Sequence, residues 1–78
     1  MTSLGERIRE LRLHQEMTQS ELARRVGVAQ PRISELENGA NRNPAIGTLD
    51  KIAQALGVPI GILLEAREET LIHSSRVR

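Results

Sequence analysis

Residues Gln19 to Asn38 read QSELARRVGVAQPRISELEN. Leu22, Ala23 and Val26 fall on one stripe at helical spacing, and Ile33 and Leu36 form a second. Gly27 and Val28 stand between them. Gly27 is free to take the positive φ that closes a helix. Val28 can tuck its side chain back between the two segments. Ala23 is small enough to sit where two helices approach most closely. The stretch predicts two short helices joined at a tight corner.

Flanking signals extend this pattern in both directions. Ser3-Leu4-Gly5-Glu6 has the form of a capping box, and Leu4, Ile8 and Leu11 recur at helical spacing, so a first helix is expected from about Leu4 to Gln15. Thr18-Gln19-Ser20-Glu21 is a second capping box and starts the next helix near Gln19. A third is expected from about Gln30 to Glu37, with Pro31 in its first turn, where a missing N–H costs little, and Asn38-Gly39 as its stop. After the turn-rich GANRNP at 39–44, a fourth runs from about Ile46 to Leu56. Its one apolar face carries Ile46, Leu49, Ile52, Ala53 and Leu56. Gly57-Val58-Pro59 breaks it, and a short fifth helix follows from about Ile60 to Glu65, extending to Glu69 at most. The tail TLIHSSRVR, 70–78, has no helical period. Its polarity and terminal position point to disorder, and pairing of Leu71-Ile72 with a second subunit is the alternative. No internal repeat or second domain is read, so the domain is placed at 1–69.

The 78 residues, 38% apolar, suffice for one small core. Without cysteine there is neither a disulfide nor a thiolate metal site. No apolar run is long enough to span a membrane, and MTSLGERIRE lacks a signal peptide's apolar centre, so a cytoplasmic protein is expected. Net charge is +1, and charge alone does not mark a nucleic-acid binder. Lys51 is the sole lysine among eleven basic residues. Arginine suits bidentate phosphate and guanine contacts. The absence of Phe, Trp and Tyr argues against single-strand binding on stacked aromatics. His14 and His73 are too isolated for a metal site, and no nucleophile–base arrangement or phosphate-cradling glycine loop is present. No enzyme activity, cofactor or small-molecule ligand is expected.

On the third helix, Gln30, Pro31, Ser34, Glu35 and Asn38 face away from the corner, and most carry the hydrogen-bonding groups that reading base edges requires. This is the helix-turn-helix arrangement, which lays its second helix in a DNA major groove. The chain resembles the phage repressor/Cro-type (XRE) helix-turn-helix regulators over roughly Leu4 to Leu64. The likeness is carried by TQSELARRVGV at 18–28, ISELENG at 33–39, Asn43-Pro44, and TLDKIAQALGV at 48–58. It implies an all-α, five-helix, lambda-repressor-like DNA-binding domain.

The resemblance also implies roles. Gln19 would contact a phosphate, aided by the helix N-terminus. Gln30 would be the foremost base reader, bidentate to adenine. Ala29, immediately before it, lies on the same DNA-facing surface. Arg32 would pair with a phosphate. Ser34 and Glu35 would face the bases, Glu35 accepting from cytosine N4 or holding Arg32. Pro31 departs from the polar residue found in some relatives and offers only apolar contact. Asn38, Arg42 and Asn43 would follow the DNA backbone, Arg42 reaching a phosphate or a narrow minor groove. Arg12 and Glu37 match positions that relatives pair as a partly buried brace; losing one partner of such a pair typically costs about 3–5 kcal/mol. Ile60, Ile62 and Leu63 would serve dimerisation. The function implied is a transcriptional regulator on double-stranded DNA, acting as a homodimer on a palindromic operator. A restriction–modification controller and an antitoxin are the alternatives, the antitoxin with a toxin partner bound through Ala66 to Arg78.

Overall fold

In the computed structural model, which describes residues 3–41 and 43–65, four helices are bounded at both ends and a fifth begins at residue 60. They are α1 (Leu4–His14), α2 (Gln19–Val26), α3 (Gln30–Glu37), α4 (Ile46–Leu56) and α5 (helical over residues 60–65). The described residues contain no strand. Helix α2 packs on α3 and α4, and α1 lies against α3. Every helix sends at least one fully buried side chain to the common core: Ile8 from α1, Leu22 from α2, Ile33 from α3, Leu49, Ile52 and Leu56 from α4, and Leu63 from α5.

The caps explain where the helices start. Ser3 Oγ accepts from Glu6 N at 3.2 Å and Glu6 Oε1 accepts from Ser3 N at 2.9 Å, a complete capping box. At α2 only half of the expected box forms. Thr18 Oγ1 accepts from Glu21 N at 3.0 Å, but the Glu21 carboxylate turns along the helix to Arg24 and Arg25. Two cations one turn away hold a carboxylate better than one neutral backbone N–H. Helix α1 ends at His14, and the Gln15 amide crosses to donate to the Leu56 carbonyl, satisfying an orphan acceptor at the end of α4.

The corner between α2 and α3 recurs between α4 and α5. Leu22-Ala23-Arg24-Arg25-Val26-Gly27-Val28 is matched thirty residues later by Ile52-Ala53-Gln54-Ala55-Leu56-Gly57-Val58. Gly27 and Gly57 are both left-handed, at φ 89° and 70°, and in both corners the alanine carbonyl accepts the valine N–H at 3.0 Å. The sequence therefore contains a repeated corner that inspection for repeats passed over.

This repeat explains one correction. Leu63, expected on a dimer surface, is 0% exposed. It stands thirty residues after Ile33, in the same place relative to its corner, and both plug the core. Its neighbours Ile60 and Ile62 are half-buried. A second correction concerns Ile46, expected on the buried face of α4 but 61% exposed. The first turn of α4 projects beyond the core, with Ala45, Ile46 and Gly47 all exposed, and burial begins at Leu49.

Candidate nucleic-acid interface

Helix α3 divides cleanly into two faces. Ile33 and Leu36 are buried, whereas Ala29, Pro31, Arg32, Glu35 and Asn38 are exposed and Gln30 and Ser34 half-buried. The structure thus gathers these residues on one surface. Asn38 uses its side chain locally: Oδ1 accepts from Ala40 N at 2.9 Å while the Ala40 and Asn41 amides also return to the Glu35 carbonyl. Asn43 is exposed, and its backbone N–H donates to Asn41 Oδ1 at 3.2 Å. Among the described residues no ion pair joins Arg32 to Glu35, so the expected hold of one on the other is not made there. Arg42, the 70–78 tail and the toxin contact assigned to 66–78 lie outside the described residues.

Beneath this surface runs a polar network. Arg12 Nε and Nη2 donate to Glu37 Oε2 and Oε1 at 2.7 and 2.9 Å, a bidentate pair between side chains 8% and 3% exposed. Arg12 Nη1 donates at 2.7 Å to the carbonyl of Met17, in the turn between α1 and α2. One guanidinium therefore ties α1, that turn and α3 together. Its hydrogen bonds to Glu37 raise the arginine pKa above its ordinary value, outweighing the opposing effect of burial. Gln19 Nε2 donates to Glu37 Oε1 at 3.0 Å, and Gln30 Nε2 donates to Gln19 Oε1 at 2.6 Å. Gln19, expected to face a phosphate, engages both ends of its amide within the chain.

Gly5 was not singled out for this architecture. A Cβ there would collide with the Leu36 carbonyl and stand 2.9 Å from that of Glu37. Helix α1 thus lies directly on the backbone at the end of α3. The available signal was a glycine inside the first turn of a well-capped helix, where it costs about 1 kcal/mol relative to alanine.

At the flank of α2, Arg24 and Arg25 are exposed and both bonded to Glu21. The hydrogen bond from Arg24, then that from Arg25, holds the Glu21 carboxyl below its ordinary pKa. Much of the local positive charge is thereby matched within the chain.

Two helices meeting at a glycine corner, the second seated by its apolar face and presenting a polar one, define a helix-turn-helix domain. The helix-turn-helix family model matches residues 8–63, and the chain belongs to that family, in its phage repressor/Cro (XRE) branch. The HTH-type transcriptional regulator SinR of Bacillus subtilis (strain 168) is 36% identical over 67 residues, which cover 86% of this chain and 60% of SinR. The chain thus spans about three-fifths of that relative's length. An uncharacterized HTH-type transcriptional regulator, y4dJ of Sinorhizobium fredii, is 40% identical over 67 residues, 86% of each chain. Among solved structures, the crystal structure of SinR, described as the master regulator for biofilm formation, in complex with DNA superimposes with a TM-score of 0.75. It is 36% identical and covers 78% of this chain and 97% of that one.

Proposed function

We propose that the chain is the DNA-binding domain of a cytoplasmic transcriptional regulator that reads an operator in double-stranded DNA with α3. The observation that carries this is the division of α3: one side locked into the core, the other a polar surface headed by Gln30. Helix α3 enters the major groove. Gln30 reads a base edge, Ser34 and Glu35 add polar contacts, and Arg32, Arg42, Asn38 and Asn43 follow the backbone. Ala29 and Pro31 supply apolar contact. The likeness to transcriptional regulators, and to SinR as crystallised with DNA, supports this reading.

One such domain covers little DNA. The chain acts as a two-fold dimer on half-sites about 34 Å apart, one helical turn. The half-buried Ile60 and Ile62 of α5 supply the apolar contact. With a net charge of +1, few phosphates are neutralised per subunit, and each contributes about 0.9 to the log–log salt slope.

Selection from random duplexes followed by footprinting tests the reading. A two-fold site is expected. Gln30→Ala relaxes preference at one base position per half-site, at about 1–3 kcal/mol, whereas Arg32→Ala weakens all sequences alike and lowers the salt slope by about 1. Failure to enrich any duplex overturns the assignment.

A further inference from the structure

A glutamine amide can be turned either of two ways, and turning it exchanges donor for acceptor. Glu37 decides the sense of two such amides in succession. Its carboxylate, bonded through both oxygens to Arg12 at 2.7 and 2.9 Å, can only accept. Gln19 lies 3.0 Å from Glu37 Oε1 and so turns its NH2 group inward. Its own Oε1 is thereby left toward Gln30, and accepts from Gln30 Nε2 at 2.6 Å. Gln30 must direct its NH2 group at Gln19, which leaves its Oε1 and one N–H uncommitted. Reversing either amide would set two acceptors, or two donors, against each other.

We propose that Glu37 is a positioning residue for base reading, acting through Gln19 to set the orientation of the Gln30 amide before DNA arrives. The inference rests on the assignment of Gln30 as a base reader. Glu37 is buried under α3 and Gln30 heads its polar face, so the charge of the brace reaches the surface as an orientation. The oriented amide offers an acceptor together with one N–H. That pair complements adenine, which presents N6–H as donor and N7 as acceptor, and discriminates against guanine, which presents acceptors at both places. Gln19 acts here as a relay, since both ends of its amide are engaged within the chain.

Two roles for Gln19 make opposite predictions, which permits a direct test with the full chain on duplexes varied one position at a time. Gln30→Ala first identifies the base position Gln30 reads. Gln19→Met then removes the relay and leaves Arg12 and Glu37 paired, with Gln19→Ala as a second variant should methionine disturb packing. Thermal melts report whether each variant is folded. The expected result is a loss of discrimination of about tenfold at the Gln30 position alone, within what one bidentate contact supplies. The double substitution of Gln19 and Gln30 should lose no more discrimination there than Gln30→Ala by itself. Glu37→Gln, whose amide can donate as well as accept, should relax the same position. Uniform weakening on every duplex by folded Gln19 variants, with a lower salt slope, would show a phosphate contact and overturn the proposal. If Gln30→Ala itself alters no base preference, the assignment of the reading helix fails, and the positioning role falls with it.

Discussion

A single methyl group on Gly5 would strike backbone rather than a side chain able to move away. Gly5→Ala therefore sets two effects against each other. Alanine favours the helical state of α1 by about 1 kcal/mol. Forcing α1 off the carbonyls of Leu36 and Glu37 costs about 1–3 kcal/mol and pulls on the residue that Arg12 holds. The clash wins because neither backbone can give way without moving a helix. Gly5→Ala is expected to lower the melting temperature by several degrees, since about 1 kcal/mol corresponds to about 4–8 °C in a domain this small. An unchanged or higher melting temperature would mean that α1 shifts freely on α3. Arg12 and Glu37, by contrast, were matched from sequence only through a family resemblance, because nothing in their spacing says they meet. It takes the docking of α1 against α3 to bring together residues 25 positions apart.

Helix termini here are governed by short-range chemistry, and most of them were legible. Helices α3 and α4 begin and end where their caps, proline and glycine place them, at Gln30–Glu37 and Ile46–Leu56. The capping box of α1 makes a pH-dependent contribution. The hydrogen bond from the Ser3 backbone, then that from its hydroxyl, holds the Glu6 carboxyl below its ordinary pKa. A depressed folded-state pKa means that the stabilisation is present at neutral pH and disappears as pH falls through that value. Glu6→Gln keeps the shape of the box and removes the charge. The variant is expected to melt below the parent at neutral pH, with the gap closing on acidification through the carboxylate range. A gap of constant size across thermal melts in that range would show that the charge of Glu6 contributes nothing. Glu21 escaped the sequence pattern because S/T-x-x-E describes an available partner but not a competing one, and Arg24 and Arg25 lie on the same helix face.

For the molecule as a whole, α5 has two jobs that sequence patterning merged into one. Ile60, Ile62 and Leu63 all read as apolar surface, yet only Leu63 is withdrawn completely into the core. The two classes separate on mutation. Leu63→Ala is expected to cost about 2–5 kcal/mol of folding stability, as truncation of a fully buried leucine does. Ile62→Asp is expected to leave the fold largely intact and shift a two-chain mass to a one-chain mass in sedimentation. Retention of the larger mass would remove Ile62 from the dimer surface. The burial of Leu63 was available in the chain all along, through the thirty-residue echo of the Ala-x-x-apolar-Gly-Val corner, which places it where Ile33 stands.

Local interactions decided the helices, their caps and the glycine corners, because hydrogen bonds within a few residues and the period of apolar side chains require no knowledge of the rest of the chain. The polar face of α3 was legible for the same reason. Tertiary structure alone decided which partners the polar groups take: Glu21 with arginines rather than its cap, Gln15 with the end of α4, and Gln19 inward between Glu37 and Gln30. It also decided that Gly5 must be glycine and that Ile46 is left outside the core. These are matters of distance between segments far apart in sequence, and such distances exist only once the helices have packed.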